Sequence, residues 1–386
     1  MRKLTNMFVV LLLLLPAGWL GAELNLERLA AIHGAMEGEV AAHRAAGVVT
    51  LVLKDGKPIH EDAAGFADLE QKIPMDTDAV FWIASMTKSI SATTVLTLVD
   101  EGKLSLDEPA STWMPELEKV KMKNGEPPQR AITLRDLLSH TAGIAVPPRR
   151  PTDGAHSLKS MSRELLQAPL AFEPGSNYEY GYGITIAGRI AEIVAGKPFD
   201  VLVQERILDP LAMHDTTFHP DAELRKRIVK SYRTSDDRTS LTRAHNPYVT
   251  SEASDRRMTE PSGGLFSTAA DMAKFYQMIL DGGGFQGRRI VSEKAVAEMT
   301  KPHSAGGKSL GYGLGWQCSS PSRTAIEGFS DRAFGHGGAF GTHGWIDPEQ
   351  QVVTVFMVQN VLVNQGGTPR NVFHQHVTNQ PLAQGN

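Results

Sequence analysis

Two β-branched runs, Val48 to Leu53 and Gln351 to Val358, stand near opposite ends of the 386-residue chain, and most of what separates them carries helical patterning. Asp55-Gly56 is a hairpin signal that turns the first run back through Ile59 to Gly65. Asp347-Pro348-Glu349 turns Gly344 to Asp347 into the last run. Before the first strand, Leu26, Leu29, Ile32, Met36 and Val40 recur at helical spacing, predicting a helix over Leu24 to Ala46 that Gly47 ends. Further helices are predicted at Ser85–Glu101, Leu134–Ser139, Ser160–Gln167, Ile184–Ala195, Ala269–Leu280 and Glu293–Met299, and a strand at Gly313–Gln317. Strands at both ends with helices between them predict one sheet assembled from both termini with a helical lobe inserted. A single core stops growing near about 250–300 residues, which also favours two lobes. The expected bounds are 23–80 with 300–386 for the sheet lobe and 81–299 for the helical lobe.

The first 22 residues have another character. Arg2 and Lys3 precede an apolar run from Met7 to Leu15, then Pro16 and small residues to Ala22. Charge, apolar core and small-residue end form the template of a secretory signal, so the chain is expected to be exported, to the periplasm or beyond the cell. The run is short of the ~20 residues that span a bilayer. The formal charge of -4 offers no polycationic surface for nucleic acid. One cysteine, Cys318, excludes an intrachain disulfide framework and any multi-cysteine metal site.

Trp82-Ile83-Ala84-Ser85-Met86-Thr87-Lys88 places a serine and a lysine at i and i+3. On a helix that spacing puts both on one face, and the first-turn N–H groups favour negative charge developing at the serine. A serine hydroxyl attacks only when a base takes its proton, and a neutralised lysine one turn away can serve. The plain structural alternative is a serine capping an amphipathic helix.

Downstream, four segments follow in order: Thr133 to Ile144 (with Ser139-His140-Thr141-Ala142-Gly143), Glu173-Pro174-Gly175 to Gly183, Gly263 to Met272, and Gly335-His336-Gly337-Gly338-Ala339-Phe340-Gly341-Thr342. With Ser85-x-x-Lys88, this set resembles the serine β-lactamase-related family of class C β-lactamases, D-alanyl-D-alanine carboxypeptidases and family VIII carboxylesterases, from about Leu24 to Val358. The resemblance implies a mixed α/β (α+β) fold of the β-lactamase/transpeptidase type, an antiparallel sheet flanked by helices with an inserted helical lobe and a cleft between. It implies that Ser85 is acylated, that Lys88 accompanies it, and that Tyr180 shuttles protons. A phenol ionises near ~10, so such a role at neutral pH calls for a flanking cation, and Lys88 is the candidate. His336, Gly337 and Gly338 match the edge strand that binds substrate. Ala339 then supplies one oxyanion-hole N–H and Ser85 the other. Trp82, Tyr248, Phe340 and Trp345 are candidates either for cleft walls or for core packing.

Two departures from the family pattern bear on substrate. Tyr182 stands where β-lactamases and carboxypeptidases usually have Asn, and His336 where they usually have a lysine that holds the substrate carboxylate. An imidazole with pKa near ~6.5 is mostly neutral at pH 7. The expected activity is therefore acyl-enzyme hydrolysis of small carboxylic esters, with β-lactam or D-Ala-D-Ala amide hydrolysis as the alternative. A non-catalytic penicillin-binding-like sensor is the alternative outside enzymes, against which the Ser85, Lys88 and Tyr180 set speaks. The partner is thus a small ester or amide; the oligomeric state is left open.

Other matches fail on context. Gly307-Lys308-Ser309-Leu310-Gly311 fits G-x-S-x-G, but a helix must follow the serine and a strand pattern does. A Walker pattern there would need glycine at Pro302. His374-Gln375-His376, and His336 with His343, lack H-E-x-x-H spacing. No metal or cofactor is expected.

Overall fold

The computed structural model describes residues 25–146, 157–237, 239–246, 248, 258–305, 308–309, 311–319, 326–361 and 369–378. The expected signal segment lies outside them, as does the proline-rich stretch 147–151.

Seven strands form one antiparallel sheet: β1 (Gly47–Lys54), β2 (Lys57–Asp68), β3 (Ile73–Pro74), β4 (Gln317–Cys318), β5 (Phe334–Gly337), β6 (His343–Asp347) and β7 (Val352–Val358). Their order is β4-β5-β6-β7-β1-β2-β3, so the two termini meet where β1 pairs with β7, from Val48 opposite Val358 to Lys54 opposite Val352. The unbroken apolar run of β1 follows from burial on both faces. Val49, Leu51 and Leu53 point into the main core. Val48 and Val52 join Leu29, Ile32, Met36, Phe373 and Val377 on the other face. The β1–β2 hairpin turns at Asp55 (φ 51°) and Gly56 (φ 73°), the doubly left-handed geometry that suits a twisted two-residue turn.

Terminal helices Leu26–Ala30, Ile32–Ala41 and Pro369–Val377 cover one face of the sheet. The Ala269–Leu280 helix covers the other. Gly344 of β6 makes its close approach possible, since a Cβ there would lie 2.0 Å from the Tyr276 ring. The Thr87–Asp100 helix is buried from Thr87 to Leu98. Its hydroxyls are absorbed locally: Thr93 and Thr94 donate to carbonyls four residues back, and Ser91 to Pro261 O at 2.8 Å. One apolar cluster runs from Val49 and Val355 of the sheet to Ile90 and Ile186 of the helices.

Two expectations are corrected. The helix expected over Leu24–Ala46 breaks at Ala31 and ends at Ala41, and His43 (φ 55°) turns the chain toward β1. The strand expected at Gly313–Gln317 is a turn closed by Gly313 N–H to Trp316 O at 2.7 Å, and pairing starts only at Gln317. The reason is contact: a Cβ on Gly313 would strike Met299 O at 2.0 Å, and one on Gly315 (φ 79°) would strike Ala92 Cβ at 2.5 Å. Those glycines bring the backbone onto neighbouring helices rather than into the sheet. Trp345, left open between cleft wall and core packing, lies in the core, 1% exposed and stacked on His343 at 5.1 Å.

Ser309 lies on the two-residue strand Lys308–Ser309, paired with Ser304–Ala305. The next described residues, 311–319, hold no helix, consistent with setting the G-x-S-x-G match aside.

Candidate active site

Ser85 sits on a 3₁₀ turn, Ala84–Met86, that runs directly into the Thr87–Asp100 helix. The residue before it, Ala84, has φ 47°, a left-handed conformation that costs of order 1 kcal/mol for a residue with a Cβ. Neighbours hold it there. Ile83 N–H donates to Leu265 O at 3.0 Å, and the Trp82 indole N–H donates to Gly263 O at 2.6 Å.

One helical step on, Lys88 is 4% exposed and its Nζ meets two neutral acceptors, Ser85 Oγ at 3.1 Å and Ser262 O at 2.6 Å. The same Nζ lies 4.7 Å from the centre of the Tyr180 ring. Tyr180 is 40% exposed, so its ring reaches solvent while facing the lysine. Ser85, Lys88, Tyr180 and Ala339 line one cavity of about 200 Å³, with Trp82, Tyr182 and Glu260 on its walls.

Ala339 reaches that cavity because β5 ends in glycine. Gly338 packs so tightly that a Cβ would lie 2.0 Å from Thr342 Oγ1 and 2.6 Å from Ile83 O. The turn after it is closed by Gly341 N–H to Gly338 O at 3.0 Å. This closure does not use the Ala339 N–H, and Ser85, on the first turn of a helix, has no intrahelical acceptor for its own. Short β4 pairs only with Phe334 and Gly335, so beyond it, on that side, the His336–Gly338 edge is open among the described residues.

His336 stands behind the cavity rather than on its wall. It is 1% exposed, and its Nδ1 donates to Gly337 O at 2.8 Å. That leaves Nε2 as acceptor for the Tyr312 hydroxyl at 3.1 Å. Burial first, then Lys88, push His336 down to about 3, partly offset by the bond to Gly337 O. Burial and the neighbouring Tyr180 and Tyr178 push the Tyr312 phenol well above its ordinary value, so it keeps its proton. Direct contact between the imidazole and substrate, expected from the sequence, thus gives way to a neutral group that fixes the end of β5.

His140 and Tyr312 were not singled out as site residues by sequence reasoning. The His140 ring packs 4.6 Å from Tyr180 and 5.0 Å from Tyr312, and its Nδ1 accepts the Gly181 N–H at 3.3 Å. Burial, Lys88 and His336 hold it neutral. The signal was its place in Ser-His-Thr-Ala-Gly, where His140 itself has φ 61°. Tyr312 sits between Gly311 and Gly313, a setting that reads as a turn.

Four buried imidazoles give the protein an acid limit. Burial is the main cause in each case, pushing His336 and His374 to about 3 and His140 and His343 well below 6.5. Between about 6.5 and 3 the unfolded chain therefore binds protons that the folded chain does not, and stability rises with pH across that window. The contribution is fully present above about 6.5 and lost progressively below it. A thermal-midpoint series from pH 8 to 4 is expected to be flat at the top and to fall steeply below about 6.5. A midpoint that holds down to pH 4 would contradict neutral burial of these rings.

Comparison with known proteins gives consistent likenesses. A family model described as β-lactamase matches residues 32–378. Protein Rv1367c of Mycobacterium tuberculosis is 30% identical over 347 residues, 81% of this chain and 86% of that one. Esterase EstB of Burkholderia gladioli is 33% identical over 189 residues, 45% of this chain and 47% of its own. A solved family VIII carboxylesterase superposes with a TM-score of 0.74 over 91% of this chain and 97% of that one, at 23% identity, a likeness of fold.

Proposed function

The chain belongs to the β-lactamase family and is a serine hydrolase, and on that premise we propose that it is an exported carboxylesterase acting on small acyl esters through Ser85. The observation that carries the reading is Lys88 Nζ 3.1 Å from Ser85 Oγ, with the Tyr180 ring over the same nitrogen in one cavity. Ser85 Oγ attacks the ester carbonyl as its proton passes to the Lys88–Tyr180 pair. The negative oxygen is held by the Ser85 and Ala339 N–H groups, where one such donor is typically worth about 2.7–4 kcal/mol of barrier. The alcohol leaves with the proton, and water then cleaves the acyl-enzyme by the reverse transfer, returning Ser85 and releasing the acid.

Esters are favoured over β-lactams because the position that usually carries a lysine holds a neutral, buried imidazole. A substrate carboxylate would find no fixed cation there. Export is supported by the charged, apolar and small-residue order of the first 22 residues. Among the described residues no helix is long and apolar enough to cross a membrane. A second reading, hydrolysis of β-lactams or D-Ala-D-Ala amides, draws on the same Ser85, Lys88 and Tyr180 arrangement.

The two readings separate on one preparation. p-Nitrophenyl butyrate is expected to turn over with nitrocefin slow by comparison, and a fluorophosphonate probe is expected to label Ser85, read by peptide mass. Nitrocefin hydrolysis matching that of the ester would favour the second reading. Turnover without Ser85 labelling would remove both.

A further inference from the structure

The cavity wall carries a charge that acyl-enzyme chemistry does not use. Glu260 is 4% exposed and lines the same cavity as Ser85 and Lys88. Tyr248 O–H donates to its carboxylate. Its backbone carbonyl accepts Gly263 and Gly264 N–H at 3.1 and 2.9 Å, so the carboxylate is presented by a closed turn. That same turn supplies Ser262 O to Lys88 and Gly263 O to the Trp82 indole. Tyr248 stacks on Trp82 at 4.5 Å, which fixes the hydroxyl that holds the carboxylate. Glu260 is therefore tied, through backbone and ring contacts, to the segment that carries Ser85.

Lys88 is the one basic and Glu260 the one acidic side chain on this wall among the described residues. Lys88 is directed at Ser85, Ser262 and the Tyr180 ring. His336, behind the wall, adds no positive charge. Lys88 stands at the reacting end, on Ser85 and Ser262; along the rest of this wall, among the described residues, a substrate anion meets the Glu260 carboxylate alone, whereas a substrate cation meets an opposite charge there.

We infer that Glu260 is a charge-selecting residue: it admits acyl esters that carry a cationic group and turns away those that carry an anionic one. The inference rests on the esterase reading above and names its substrate class.

Three p-nitrophenyl esters of matched shape test it: 4-(trimethylammonio)butyrate, its neutral isostere 5,5-dimethylhexanoate, and anionic 4-sulfobutyrate. In the native protein kcat/KM for the cationic ester is expected to exceed that for the anionic one by about tenfold or more, the scale of charge discrimination across a desolvated contact. Glu260→Gln is expected to bring the two within about threefold of each other, each normalised to the neutral ester of the same preparation. Should Glu260→Gln not fold, the cationic-to-anionic ratio of the native protein alone decides. Neutral-ester turnover without charge preference in the native protein, or an unchanged ratio in folded Glu260→Gln, overturns the inference alone. Absence of any Ser85-dependent ester turnover overturns the esterase reading and the inference with it.

Discussion

Ser85→Ala is expected to lower ester turnover by about 10⁴-fold or more while the protein stays folded, since removing a nucleophile removes the whole covalent route. The structure argues for both halves. Among the described residues the Ser85 hydroxyl has one hydrogen bond, from Lys88 Nζ. That nitrogen keeps the Ser262 carbonyl at 2.6 Å and the Tyr180 ring when the hydroxyl is gone. The lost bond is therefore worth about 1 kcal/mol, small against the stability of a domain. Progress curves with p-nitrophenyl butyrate beside thermal melts decide the point. Residual activity within about tenfold of native would move the nucleophile elsewhere.

Gly338→Ala is expected to cost about 10²- to 10³-fold in kcat, with a smaller effect on KM, because the added carbon separates two oxyanion donors. Its Cβ would fall 2.0 Å from Thr342 Oγ1 and 2.6 Å from Ile83 O. Thr342 can rotate, but Ile83 is backbone two residues before Ser85. The turn bearing Ala339 must then shift away from the helix bearing Ser85. Binding of the remote acyl chain is not touched directly, so the loss falls on the charge-developing step. Gly34→Ala is the matched control. It lies exposed on the Ile32–Ala41 helix with nothing within 4 Å of the added carbon, and should gain about 0.5–1 kcal/mol of stability. If Gly338→Ala left kcat unchanged, the Ala339 N–H would not be an oxyanion donor.

The parts of the fold that declare themselves in the sequence are those governed by local chemistry. Asp55-Gly56 is a turn because both residues tolerate positive φ, and the Ala269–Leu280 helix appears as read because Thr268 caps it, accepting Asp271 N–H at 3.2 Å. Gly313 and Gly315 misled because their reason for being glycine lies on other helices, at Met299 and Ala92. Within the site, Ser85 and Lys88 share one helical face and could be paired by spacing. His336 could not be read in the same way: its neutrality and its bond to Tyr312 arise from burial among distant segments, and a side chain's type does not announce its desolvation. Glu260 was hidden for a related cause. It stands just after a long polar stretch and enters the wall only through the turn that meets Lys88.

The pairing of β1 with β7 also sets an order of events in synthesis. The ribosome releases the β1–β2 hairpin early, yet the strand that must lie against β1 emerges only after nearly all the rest of the chain. Until then one whole flank of β1, eight residues of mostly aliphatic sequence, is an open template for other strands. Contacts so distant along the chain close slowly and leave partly built forms prone to association. The sheet is thus closed only after translation is nearly complete, and a nascent chain cut short before Val352 would have a sticky, half-built sheet.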